Sequence, residues 1–179
     1  MFGWLGGDRL GTHRMLPGLL SGVVGDLLTF GTCWVAEADR DGVVGIAGWL
    51  RPGSHPRGPR RDLLLAARSL TGVPWVRHPL VGGRLLARLE REHVDGAHWY
   101  LALLAVDPDW QGRGLGGALL APGLGGADAD GLPCYLETQK RDNVAWYARH
   151  GFEETSTVEV RGAPSVWCMR RPPAELPFG

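Results

Sequence analysis

The chain has 179 residues, and its 19 Lys+Arg are matched by 19 Asp+Glu. That length fits one domain with a substantial core, and the neutral balance excludes any electrostatic case for a nucleic-acid or membrane partner. Cys33, Cys134 and Cys168 lie far apart, without a C-x-x-C pair or a His at metal-ligand spacing, so a reduced cytoplasmic protein with buried thiols and no metal is expected.

Met1 to Gly11 is short, Gly-rich and unpatterned. From Thr12 to Leu28, Leu16, Leu19, Leu20, Val23, Val24, Leu27 and Leu28 recur at helical spacings, which predicts one helix beginning near Thr12 or Pro17. Arg14 followed by MLPGLLSGVVG has the look of a signal peptide, but Asp26 interrupts the apolar run behind it and no small-x-small cleavage site appears. Cys33 to Glu37 and Val43 to Leu50 are β-prone runs joined through Asp41-Gly42, an antiparallel hairpin. Arg51 to Arg61 reads as a solvated connector with four arginines; helical patterns come next at Asp62 to Thr71 and Val81 to Glu92, split by Pro74 and Pro79.

Trp99 to Val106 is an apolar run without alternation, as expected of a strand buried on both faces. Asp107-Pro108-Asp109 ends it, and Gln111-Gly112-Arg113-Gly114-Leu115-Gly116-Gly117 opens the next apolar segment. Backbone N–H groups free of Cβ obstruction gather where a helix begins, and a helix N-terminus carries roughly half a positive charge, so a diphosphate is the natural ligand. Gly112, Gly114 and Gly117 also satisfy G-x-G-x-x-G, with Glu137 near the offset of a ribose-binding acid. The Pro-containing loop between Val106 and Gly112, and the early antiparallel hairpin, disfavour a dinucleotide fold.

Gly114 to Asp130 is the expected crossover helix, intrinsically poor because of its glycines and broken or kinked near Pro122. Leu132 to Thr138 is the next strand, giving a parallel βαβ unit whose loops after Val106 and Glu137 share one edge of the sheet. Asp142 or Asn143 is expected to cap a helix running to Arg149 and closed by Gly151, with Phe152 packing behind it. Glu154 to Val160 and Ser165 to Arg170 form a closing hairpin, and the tail from Pro172 to Gly179 is expected to be loose.

Two motifs carry a resemblance. Val106 to Gly116 fits V-x-P-x-x-Q-G-x-G-x-G, and Asn143 to Phe152 contains N-x-x-x-Y-x-x-x-G-F. Together they resemble the acyl-CoA-binding segments of the GNAT superfamily of N-acetyltransferases, and Trp99 to Arg170 looks like puromycin N-acetyltransferase and its actinobacterial relatives. The resemblance implies an α/β (α+β) fold, a single GNAT-like domain with a mixed, largely antiparallel sheet around a central βαβ unit. It implies acetyl-CoA as acyl donor, held by Leu104, Ala105, Val106, Gln111, Gly112, Arg113, Gly114, Leu115, Gly116, Gly117 and Asn143. Tyr147 would protonate the departing thiolate, and Glu137 would be the base for the attacking ammonium or would accept backbone N–H bonds.

The acceptor implied is a primary amine, on a small molecule or, alternatively, a protein N-terminus or lysine; a non-catalytic acyl-CoA-binding module is the reading from another class. A monomer or homodimer is expected. His98 reads as a packing or loop histidine rather than the base. Trp34, Trp49, Trp75 and Trp99 are candidates for an acceptor pocket, with core packing the commoner role for tryptophan. Family chains begin with a strand and a helix ahead of the segment matching Thr12 to Leu28. Here too few residues precede it, so either the gene starts upstream or the sheet lacks its first strand and leaves an exposed edge.

Overall fold

The computed structural model describes residues 9–54, 58–69 and 78–174. Among these the order is α1 (Arg9–Phe30), β1 (Gly31–Ala38), β2 (Gly42–Leu50), α2 (Pro59–Ser69), α3 (Pro79–Glu92), β3 (Trp99–Val106), α4 (Leu115–Asp130), β4 (Cys134–Thr138), α5 (Arg141–Ala148), β5 (Glu153–Val158) and β6 (Val166–Arg171). The strands form a six-stranded sheet in the order β1-β2-β3-β4-β6-β5. Only β3 and β4 pair in parallel, so this is the mixed, largely antiparallel α/β sheet that the motifs imply. β1 is an edge of the described sheet; residues 1–8, like Trp75 and the tail beyond 174, lie outside the described residues.

Alternation along the strands divides the apolar side chains between two faces. On one, α4, α5 and the turn behind α5 cover Ala47, Trp49, Leu101, Leu136 and Met169 with Leu119, Leu120, Ala127, Tyr147 and Phe152. On the other, Leu85 and Leu89 of α3 meet Tyr135, Val158, Val166 and Cys168, while Leu27 of α1 sits against Gly48 of β2. No helix among the described residues is long and apolar enough to cross a membrane.

The glycines of α4 have a packing reason. A Cβ on Gly123 would stand 2.2 Å from the Trp49 ring, and one on Gly126 3.0 Å from the Trp99 ring. The helix forgoes about 1 kcal/mol of intrinsic propensity at each glycine to lie directly on two indoles, which meet edge to face at 6.3 Å. That contact holds the helix together through Pro122, where a break or kink was expected: α4 is assigned without interruption from Leu115 to Asp130. Trp49 and Trp99 are therefore core residues, and Trp34 packs against the same cluster.

Three further expectations are corrected. α1 begins at Arg9 and runs through Pro17 to Phe30 rather than starting at Thr12 or Pro17. Arg61 is not part of a solvated loop but lies in α2, buried, its guanidinium paired with both oxygens of Asp26 at 2.7 Å and stacked over Phe30. That pair fixes α2 to α1, and removing either partner would strand a buried charge at a cost of about 3–5 kcal/mol. Nor is the segment after Arg171 loose throughout, since Ala174 N donates to Asp128 Oδ1 at 2.8 Å.

Candidate active site

The site starts from a ladder that stops early. β3 and β4 are joined at Trp99 with Cys134, Tyr100 with Tyr135, and Leu101 with Leu136, and at no later position. β3 nevertheless continues to Val106 and β4 to Thr138. The two strands part beyond Leu101 and Leu136, leaving that side of the Leu104–Val106 backbone unpaired in the sheet. Into the parting opens a cavity of about 730 Å³, lined by Leu104, Ala105, Val106, Gln111, Gly112, Gly114, Leu115, Gly116, Gly117, Asn143 and Tyr147. Eleven of the thirteen residues expected at the site thus meet around one space, and Arg113 and Glu137 do not line it.

The loop between strand and helix is closed by its own polar groups. Asp107 Oδ1 accepts from Asp109 N at 2.9 Å, and Gln111 Nε2 donates to Val106 O at 3.0 Å. Gly112 and Gly114 have φ of 75° and 81°, a left-handed conformation that a side chain would strain. Gly114 is the N-cap of α4, and the first helical N–H with an intrahelical partner is that of Ala118, bonded to Gly114 O. The preceding amides of Leu115, Gly116 and Gly117 therefore face the cavity end without a helical acceptor, which makes a cradle for an anion. Arg113 contributes differently from expectation: its guanidinium stacks 4.5 Å over the Trp110 ring and donates to Asp109 O, bracing the loop from outside.

α5 supplies the opposite wall. Its N-cap is Lys140, with no side-chain cap, so neither Asp142 nor Asn143 caps it. The Thr138 hydroxyl serves there instead, accepting from Lys140 N and from Asn143 Nδ2 at 3.2 Å, which fixes Asn143 on the cavity side. At the far end Phe152 N reaches back to Tyr147 O at 3.2 Å. Tyr147 is 7% exposed, and burial pushes its hydroxyl up to about 12, so it remains a proton donor across the physiological range. Lys140, Trp110, Trp146 and Arg149 also line the cavity and were not anticipated. A partial signal existed for one of them: Lys140 stands three residues before Asn143, at the entry to the helix that carries Asn143 and Tyr147.

Glu137 lies one position beyond the last rung of the ladder, and its side chain leaves β4 on the face opposite Leu136. Its carboxylate is 17% exposed; Oε2 accepts from Tyr100 Oη at 3.0 Å, and Oε1 is 3.7 Å from His93 Nδ1. It stands across the parted strands from Tyr147 rather than beside it. His98 is buried at 4% exposure and hydrogen-bonded, in keeping with the packing role expected. Cys134 and Cys168 are buried, with burial raising the Cys134 thiol to about 12, whereas Cys33 is half-buried. Among the described residues no group of three or more His, Cys, Asp or Glu is disposed to hold a metal.

Comparison with known proteins finds similarity to acetyltransferases. Residues 75–154 match the family model for an acetyltransferase (GNAT) domain. A mycothiol acetyltransferase from Clavibacter michiganensis is 36% identical over 102 residues, covering 50% of this chain and 32% of that protein. The match thus spans about a third of that relative's length. Among solved structures, a Corynebacterium glutamicum protein described as histone acetyltransferase HPA2 and related acetyltransferase superposes with TM-score 0.62 at 26% identity, over 92% of this chain and 77% of that one. Naa20 of Chaetomium thermophilum, solved with a bisubstrate analogue, gives TM-score 0.57 at 15% identity, over 94% and 83%.

Proposed function

We propose that this chain, which carries a GNAT acetyltransferase domain, is a cytoplasmic enzyme that transfers the acetyl group of acetyl-CoA to a primary amine of a small molecule by direct attack in a ternary complex. One observation carries the reading: the amide cradle, the unpaired strand edge and a buried tyrosine donor converge on one cavity at the parting of β3 and β4. In this reading the amides from Gly112 to Gly117 hold the diphosphate, with Lys140 and Arg149 adding positive charge. The free backbone of Leu104, Ala105 and Val106 receives the pantetheine amides much as a sheet edge receives an added strand, and Asn143 holds the cofactor from the facing helix.

Acetyl-CoA supplies an activated acyl carbon. The chain positions an amine against it and manages two protons. Glu137, on the other side of the parted strands, attracts an ammonium and takes its proton, so that the neutral amine attacks as the C–N bond forms and the C–S bond breaks. Tyr147, a neutral hydroxyl in a buried wall, donates to the departing sulfur, and the second proton shed by the amine nitrogen as the amide forms replaces the one the sulfur takes. A small acceptor is supported by the name of the 36%-identical relative, a mycothiol acetyltransferase.

The test is release of free CoA thiol across a panel of small amines, lysine peptides and peptides with free N-termini. Turnover with small amines is the expected result. Turnover confined to peptides would move the acceptor to protein, and stabilisation by acetyl-CoA without any turnover would leave a binding module.

A further inference from the structure

Behind Glu137, on the α3 face of the sheet, two histidines are joined end to end. His98 Nδ1 lies 2.8 Å from the carbonyl oxygen of Gly96, and since a carbonyl only accepts, Nδ1 carries the hydrogen. A neutral His98 therefore presents its lone pair at Nε2, which lies 2.9 Å from His93 Nε2, so His93 Nε2 donates. A neutral His93 then has its own lone pair at Nδ1, and Nδ1 faces Glu137 Oε1 at 3.7 Å. Two acceptors confront one another there, beyond hydrogen-bond distance, and a single added proton would draw them together into one hydrogen bond.

The surroundings disfavour that proton at the His98 end. The His93 side chain is 5% exposed, its ring packed edge-on to Tyr100 at 4.9 Å and to Tyr135 at 4.4 Å. The other place for the proton is His98, where burial lowers the pKa, the charges of His93 and Arg170 lower it further, and the Gly96 bond only partly offsets them. Among the described residues, titratable groups facing the cluster include Tyr100 from β3, Tyr135 from β4, Cys168 and Arg170 from β6, and Glu92 at the end of α3. Burial raises the Tyr135 hydroxyl and the Cys168 thiol, so neither releases a proton into the array at neutral pH.

We infer that His93 and His98 are positioning residues that extend Glu137 into a proton-holding array, in which His98 fixes the tautomer of His93 and His93 shares with Glu137 the proton leaving the acceptor amine. The inference rests on the acyl-transfer reading above. The ammonium N–H bond breaks, the proton settles between Glu137 Oε1 and His93 Nδ1, and after the product leaves it returns to solvent from the exposed side of the carboxylate. No change in oxidation state occurs, and no group outside the chain and its substrates is needed.

The first test needs no turnover. Imidazole ¹⁵N spectra of the full chain at neutral pH should show one histidine, lost in His93→Gln, with Nε2 protonated and Nδ1 bare. A His93 protonated at Nδ1 and bare at Nε2 would overturn the inference. The second test is kinetic. His98→Leu removes the acceptor for His93 Nε2, freeing His93 to turn its hydrogen toward Glu137 and weaken it as a base. kcat/KM at pH 6.5 should fall on the order of 10-fold, with the acidic limb of the profile moving to lower pH and the KM for acetyl-CoA unchanged. His98→Gln, whose amide oxygen can accept in place of the ring nitrogen, should recover most of the loss. Equal losses in both variants at every pH, or a wild-type profile in His98→Leu, would overturn the array. If the unsubstituted chain turns over no amine, the acyl-transfer reading and the array's catalytic role fall together, while the spectra still decide the tautomers.

Discussion

The two sides of strand β4 are built on opposite plans. On the side of Leu136 the site is made largely of backbone: free amides from Leu115 to Gly117, an unpaired strand edge at Leu104 to Val106, and one buried hydroxyl on Tyr147. The side of Glu137 is made of side chains, a carboxylate hydrogen-bonded by Tyr100 and faced at 3.7 Å by His93, with a second histidine behind. Backbone amides bind an anion of fixed shape and do not titrate, which suits a cofactor that is the same in every cycle. Side chains move protons and are easily exchanged, which suits the end of the reaction where the substrate varies.

The largest effect should come from making the backbone side carry charge. Gly117 lines the cavity at the third position of α4, and a Cβ there would meet only the His150 ring, Cε1 at 3.4 Å and Nε2 at 3.9 Å. Gly117→Glu should leave the helix as stable or more so, since an acid suits a helix N-terminus and a glycine is removed. Acetyl-CoA affinity should fall by about 10³-fold, because like charges at contact near a protein surface cost about 4 kcal/mol. Calorimetric titration checks it; unchanged affinity would move the diphosphate elsewhere.

Next is Tyr147→Phe, which keeps the ring in the core and removes the donor. General acids contribute about 10²-fold to 10⁴-fold. A hydroxyl held near 12 is a poor match for a thiol whose unperturbed pKa is near 8.5, so Tyr147 stabilises the leaving sulfur by hydrogen bonding more than by full transfer. The loss in kcat should sit at the low end, about 10²-fold, with acetyl-CoA affinity unchanged. Wild-type kcat under conditions where chemistry limits the rate would leave Tyr147 as packing.

The same contrast explains what the sequence made legible. A backbone site needs consecutive residues of one kind, so the glycine loop and Tyr147's helix were readable as short motifs, and β3 was placed to the residue. The Glu137 side needs His93, His98, Tyr100 and Glu137, whose convergence depends entirely on the parallel pairing of β3 with β4 and the end of α3. No local pattern announces it. Arg61 was misread for the same reason, because its partner Asp26 lies in a different helix. Local rules failed openly at α4, where glycines that weaken an isolated helix are the seats for Trp49 and Trp99.

Glu137→Gln tests the side-chain face directly. As a base, Glu137 matters most where the amine is protonated, so the loss should be about 10²-fold below neutral pH and shrink as pH rises. A uniform loss at all pH values with a lower melting temperature would make the carboxylate structural, held for Tyr100 alone.

The smallest effect lies at the far end of α4, where Asp128 accepts from Arg171 Nη1 at 2.6 Å and Nη2 at 2.9 Å, and from Ala174 N. The Arg171 hydrogen bonds hold the Asp128 carboxyl below its ordinary value of 3.8, partial burial opposing them. A depressed carboxyl pKa stabilises the folded chain above that ordinary value, and the stabilisation is lost as pH falls through the folded pKa. Asp128→Asn should therefore cost about 1 kcal/mol, roughly 2–4 °C in a chain of this size, constant through neutral pH and vanishing in acid below 3.8. Acetyl-CoA affinity should not change, since the clamp anchors the C-terminal end of α4 to β6 while the cradle lies at the N-terminal end. Thermal scans of both proteins across pH, paired with acetyl-CoA titration, separate the two ends. Weakened binding in Asp128→Asn would mean that the cradle depends on how the whole helix is seated, and the backbone side would then be no more preformed than the side-chain array it faces.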